Sequence, residues 1–181
     1  MQSSKNTGRL TRRQFLAAGA LGGAALAAGC AVHQRGNWDF LSDAQARTLG
    51  AICDRIVPAD GFPSATQAGV LTYIDRQLMR AYRRHRSAYR DGLEQAEAMS
   101  RQRFGQVLAA LSPAQQDDLV GRLERENRPF FDLVRNHTME GYYGSPRHGG
   151  NRDAVSWRML GLDEPPLRGR AQYDLRKGSA S

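Results

Sequence analysis

Apolar residues along this chain fall three and four positions apart and not in alternation. Leu49, Ile52, Cys53, Ile56 and Val57 form one such stripe, and that spacing places them on one face of a helix. Ser42, with Gln45 three residues on, supplies a capping box at its start, and Pro58 stops it. A turn-rich connector, Pro58 to Pro63, leads to a second helix expected from near Ser64, with Val70, Leu71, Ile74 and Leu78 on its apolar face. A long helix is expected from Ser87 to Leu111 through Leu93, Ala96, Phe104, Val107 and Leu108. Ser112-Pro113-Ala114-Gln115 opens the next, with the serine as cap and proline in the first turn, where its missing N–H costs nothing. Pro129 opens a further helix through Phe130, Phe131, Val134 and Thr138, and Asp153 to Leu160 adds a short one carrying Trp157. No stretch alternates as a strand would. The expected fold is all-α, a single small helical domain over residues 41–162. A tether at 31–40 precedes it, and an extended tail at 163–181, with Pro165-Pro166 near its start, follows.

The stretch from Asn136 to Gly161 differs from the rest. Gly141, Gly144, Gly149 and Gly150 supply turns and close backbone approach, while Tyr142, Tyr143 and Trp157 supply large oriented surface. The expectation is a long glycine- and aromatic-rich C-terminal loop region, either packed on its own domain or offered to a partner. As an interface it would use Tyr142, Tyr143, Arg147, Asn151, Arg152 and Trp157, since aromatic and arginine anchors dominate binding energy. A second surface candidate is the basic run from Arg80 to Arg90, with Tyr82 and Tyr89 among five arginines. It suits an acidic partner or phospholipid head groups, or is an exposed junction between helices.

At 181 residues the chain suits one domain and is short for a flavoenzyme. Its net charge of +8 is partly contributed by the first thirty residues, which hold Lys5, Arg9, Arg12 and Arg13 and no acid. The remaining arginines are spread among acids, and no nucleic-acid-binding motif accompanies them, so no nucleic acid is expected as partner. Thr11-Arg12-Arg13-Gln14-Phe15-Leu16 is a twin-arginine motif, its key residues Arg12, Arg13, Phe15 and Leu16, followed by the Ala/Gly-rich run Ala17 to Ala28. Residues 1–30 therefore read as an export signal carrying a folded protein to the periplasm, too short and too weakly apolar to span a bilayer. Leu26-Ala27-Ala28-Gly29-Cys30 is close to a lipoprotein cleavage box, which would make Cys30 a lipidated anchor; Ala25-Leu26-Ala27 would suit ordinary cleavage instead.

HTMEGYYGSPRHGGNRD (137–153) with SWRMLG (156–161), and LSDAQARTLGAICDRIVPADGFPSATQAGVLTYIDRQL (41–78), resemble the two halves of the gluconate 2-dehydrogenase subunit 3 family. The resemblance implies a non-catalytic small subunit of a flavin-dependent dehydrogenase acting on gluconate, another sugar acid, a sugar or a polyol. Its implied partners are a flavoprotein catalytic subunit of the glucose-methanol-choline type, which holds FAD, and a multihaem cytochrome c subunit, which holds haem c. The chain would support folding and twin-arginine export of the flavoprotein, and the complex would sit at the periplasmic face of the inner membrane.

The residues themselves offer little chemistry of their own. His137 and Glu140, three apart on a helix, share a face and with His148 and Asp153 form a candidate metal group. Against it stand the lack of HExxH and of any cysteine cluster; a His137 packed under the loop and bonded to a backbone carbonyl is the simpler reading. Cys53, on an apolar stripe, suits a buried thiol, although Cys30 and Cys53 would allow a disulfide in an oxidising compartment. No GxGxxG, CxxCH or GxSxG is present, so no flavin, nicotinamide, covalent haem or serine nucleophile is expected here. Two readings compete with the accessory subunit: a self-sufficient periplasmic metalloenzyme using His137, Glu140 and His148, and a lipoprotein adaptor anchored through Cys30.

Overall fold

A computed structural model of the chain describes residues 38–162. These residues form six α-helices with four single 3-10 turns, and no strand occurs among them. The fold is all-α.

Helix α1 (Asp43–Ile56) is the hub. Ser42 accepts from the Gln45 N–H while Gln45 returns a bond to the Ser42 N–H, so the capping box forms as its sequence dictates. Leu49, Ile52 and Cys53 are wholly buried, and α1 meets every helix from α2 to α5. Burying Leu49 or Ile52 contributes about 1.5–3 kcal/mol each. Gly50 keeps the outer side of α1 thin where Thr66 and Leu71 approach.

Helix α2 (Val70–Leu78) starts later than the cap at Ser64 suggests. Ser64 and Gln67 do exchange hydrogen bonds, but they close a turn that Gly69, at φ 83°, redirects before the helix begins. Asp75 on α2 is 3 % exposed, and its carboxylate accepts the backbone N–H groups of Asp39, Phe40 and Leu41 at 2.7–3.0 Å. These three hydrogen bonds fasten the start of the described chain to α2, and the guanidiniums of Arg86 and Arg90 both lie over the Phe40 ring.

Helix α3 (Arg86–Phe104) stops at Gly105, which adopts φ 69°, and does not run on to Leu111. A glycine in the left-handed region just past the last turn, behind Arg101 and Arg103, is a standard helix stop. The connector beyond it buries Leu108 and turns into α4 (Pro113–Glu126), whose Ser112–Gln115 capping box matches the sequence reading. Asn127 ends α4 and caps α5 (Arg128–Tyr143) through a bond from the Phe130 N–H. Phe130 lies flat against α3 at Gly92, where any Cβ would overlap its ring. Helix α5 continues through Tyr143, five residues past Thr138, so the first part of the Asn136–Gly161 stretch is helical. Helix α6 (Val155–Met159) closes the described chain. No helix among the described residues is long and apolar enough to cross a membrane. Arg12, Arg13, Phe15, Leu16 and Cys30, with the tail at 163–181, lie outside the described residues.

Candidate functional site

The segment between α5 and α6 is built by backbone fitting into backbone. Gly150 packs so closely on Gly141 of α5 that a Cβ there would overlap the Gly141 carbonyl. Gly141 in turn lies under the ring of Tyr73 from α2. Asn151, fully buried at φ 44°, accepts the Ser156 N–H and donates to the Gly144 carbonyl, 2.9 Å in each case. Asparagine tolerates that left-handed backbone better than most residues; Asp153 and Ala154 beside it also have positive φ. The Arg152 N–H reaches back to the Ala68 carbonyl at 2.8 Å, which docks the loop on the turn before α2.

This geometry divides the six residues expected at an interface. Tyr142 is 1 % exposed and gives its hydroxyl proton to the Pro63 carbonyl at 2.8 Å. Together with Asn151 it holds the subunit together from inside. Tyr143, Arg147 and Arg152 are exposed, and Trp157 is half-buried with its indole N–H on the Tyr143 carbonyl at 2.8 Å. The outward face of the stretch is therefore Tyr143, Arg147, Arg152 and one side of Trp157.

Beside this loop α2, α3 and α5 meet in an aromatic cluster. The Tyr82 ring stacks on His137 at 3.7 Å between centroids, with the planes 3° apart. On the other side the Tyr89 hydroxyl lies 2.9 Å from His137 Nδ1, so the ring bonds a phenol and not the backbone carbonyl expected for it. Burial pulls the His137 pKa down to about 4; the Glu140 carboxylate opposes this, while His85 and Arg84 add to it. Tyr73 and Tyr82 both donate to Glu140, and burial first, then these contacts, raises the Tyr82 pKa. Burial likewise raises that of Tyr89. All three phenols stay protonated and His137 stays neutral near neutral pH. Sequence reasoning singled out Tyr82 and Tyr89 only as parts of a basic run. That they enclose His137 depends on the α3–α5 packing, which no local signal carries. Asp75 was missed as well, although a carboxylate beside the apolar face of α2 was a visible anomaly.

The candidate metal group of His137, Glu140, His148 and Asp153 does not assemble. Among the described residues no three His, Cys, Asp or Glu side chains converge to hold a metal ion, because His137 faces inward, Glu140 is taken by two phenols and His148 turns to Arg147. Cys53 is wholly buried, 3.2 Å from the Thr138 hydroxyl, and burial pushes its pKa up to about 12. It is an unreactive thiol at neutral pH. An open cavity of about 440 Å³ lies beside α1, lined by Trp38, Ala46, Arg47, Gly50, Thr66 and Leu71 among others. Of the two carboxylates that line it, Asp43 and Asp54, Asp54 accepts the Thr66 N–H and hydroxyl.

Compared with known proteins, the chain matches the family model described as Gluconate 2-dehydrogenase subunit 3 over residues 43–163. No curated protein and no solved structure matches it. The matched span begins at the first residue of α1 and runs one residue beyond the described domain, taking in every helix and the aromatic cluster. The chain belongs to the gluconate 2-dehydrogenase subunit 3 family.

Proposed function

We propose that this chain is the non-catalytic small subunit of a periplasmic, flavin-dependent dehydrogenase complex that oxidises a sugar, a sugar acid such as gluconate, or a polyol. It supports folding of the flavoprotein catalytic subunit and takes it through the twin-arginine pathway. The observation that carries this reading is the coincidence, in one chain, of a subunit-3 domain at 43–163 with the Thr11–Leu16 twin-arginine motif. A folded export route suits a passenger whose cofactor is already inserted, and FAD in the partner is that cofactor. A cytochrome c subunit carrying haem would take the electrons onward to the inner membrane. A scaffold role is consistent with the burial of Cys53, Tyr89 and His137, the chain's candidate reactive groups, inside the described domain.

The test is export of the complex. Arg12→Lys combined with Arg13→Lys should leave both this chain and the co-expressed flavoprotein in the cytoplasm, measured by fractionation and by dye-linked oxidation of sugars or polyols in the periplasm. Dehydrogenase activity that still reaches the periplasm in the double variant refutes the escort role.

A further inference from the structure

Arginines in this domain fall into two populations. Arg55, Arg101, Arg103, Arg122, Arg128 and Arg135 each form an ion pair with a carboxylate. The segment from Arg76 to Arg90 carries six arginines and no acid, and among the described residues none of the six has an ion pair. Their guanidiniums rest on neutral groups. Arg83 donates to the Met79 carbonyl at 2.9 Å and Arg86 to the Leu78 carbonyl at 2.7 Å. Arg84 lies on His85, and Arg86 and Arg90 flank the Phe40 ring. Such contacts fix the side chains without neutralising them. Elsewhere in the described domain only Arg47 and Arg125 share this lack of a carboxylate, apart from the arginines of the α5–α6 segment.

The fold extends the unneutralised patch with that segment. The Arg76 side chain lies against Gly149, and Arg152 reaches the turn at Gly69. Arg147, exposed, donates to His148 and to no carboxylate. Residues more than fifty positions apart thus build one cationic face around α2, with Met79 (38 % exposed) and Tyr143 (36 % exposed) as its apolar points. Glu140 lies within it but is already held by Tyr73 and Tyr82, and Asp75 is spent on three backbone N–H groups.

We infer that this face, formed by the Arg76–Arg90 segment and by Arg147 and Arg152, docks on an acidic patch of the flavoprotein subunit. The inference rests on the functional reading above and adds the chemistry of the contact. All the cations are arginines, whose planar forks match carboxylates two bonds at a time and lose little hydration on docking. A protein surface accommodates the Glu140 carboxylate by placing a donor opposite it. An anionic lipid layer presents only like charge there. Steering between unneutralised patches speeds association and is screened by salt.

The experiment compares the full-length chain with two charge-removed variants, Arg80→Gln/Arg83→Gln/Arg84→Gln and Arg147→Gln/Arg152→Gln. Arg122→Gln/Arg128→Gln, on the ion-paired side, is the control. The probe is the flavoprotein subunit that co-purifies with the wild-type chain, with association rates measured from low to high salt. Both patch variants should associate at least about tenfold more slowly at low salt, with a flattened salt dependence, and the control should match wild type. Helical circular dichroism unchanged in all three separates docking from folding. Patch variants that associate like wild type at every salt concentration overturn the inference and leave the functional reading standing. If no flavoprotein co-purifies with the wild type, both readings fall. Binding of the wild type, but not of the patch variants, to phosphatidylglycerol vesicles, with flavoprotein association unaltered, also overturns the inference, in favour of a lipid surface.

Discussion

Helices α1 and α4 begin with the same device, and α6 begins with a different one. Ser42 and Ser112 each satisfy a backbone N–H three residues ahead, in solvent, within a single stretch of sequence. Asn151 does the comparable service for α6 from a fully buried position, five residues before Ser156, bonded to the Gly144 carbonyl at the end of α5 and next to Gly150, which packs against α5. The serine caps depend on neighbours in the chain. The asparagine depends on the tertiary structure being in place, and the tertiary structure depends on it. Disturbing the first should fray a helix end, whereas disturbing the second should release the whole α5–α6 segment.

The largest effect is expected from Gly150→Ala. The added Cβ would overlap the carbonyl of Gly141, and backbone cannot step aside as a side-chain tip can. We expect a loss of about 3 kcal/mol, at the upper end for overpacking, measured by urea unfolding. Gly105→Ala is the matching control: its Cβ would enter open space and only the left-handed backbone is strained, so about 1 kcal/mol is expected. Equal losses at the two positions would show that the Gly150–Gly141 contact is not a close-packed one.

Asn151→Ala comes next. It leaves the buried Ser156 N–H and the Gly144 carbonyl without their partners, at a cost of about 2 kcal/mol. Increased hydrogen exchange should spread through residues 144–159 and spare α1 and α4. Exchange confined to the first turn of α6 would make Asn151 a cap of the ordinary local kind.

This contrast also explains how much could be read from the sequence. Existence and type of the helices followed from periodicity, and the Ser42 and Ser112 starts from capping chemistry, because each signal spans a few residues. The α3 end was placed at Leu111 although Gly105 carries a legible stop; continuing apolar spacing through Val107 and Leu108 masked it. The α2 start was misplaced because Ser64–Gln67 makes the bonds of a cap without a helix behind it. Tyr142 and Asn151 sit beside Tyr143 and Arg152 in sequence, and only the packing of Gly150 on Gly141 decides which pair faces inward. The Tyr82–His137–Tyr89 stack and the approach of Arg76 to Gly149 join segments too far apart for any local pattern to connect.

The tertiary region also responds to acid where the serine caps do not. His137 titrates near 4 in the folded chain against an ordinary value of 6.5. The unfolded chain therefore binds a proton that the folded chain refuses as pH falls between these values. Stability is fully present above about pH 6.5 and declines toward pH 4, by about 1–2 kcal/mol after allowance for solvent screening. The melting temperature of His137→Gln should vary less over that interval. An identical pH profile in the variant would assign the acid sensitivity to another group.

The smallest effect completes the comparison. Ser112→Ala removes the acceptor for the Gln115 N–H, while the reciprocal bond from the Ser112 N–H to Gln115 keeps its side-chain partner. Ser112 is exposed, so water takes the place of the lost hydroxyl and no buried group is orphaned. Pro113 in the first turn still presets the helical backbone and has no N–H to satisfy. These compensations hold the cost to about 1 kcal/mol or less, with exchange rising only in the first turn of α4. Asn127, which ends α4 and caps α5, stands fifteen residues beyond Ser112 and should be untouched. Were Ser112→Ala to destabilise the chain as much as Asn151→Ala, the α4 cap would have to be coupled to the connector through Leu108 and Leu111. The distinction between locally and tertiarily held helix starts would then fail in this fold.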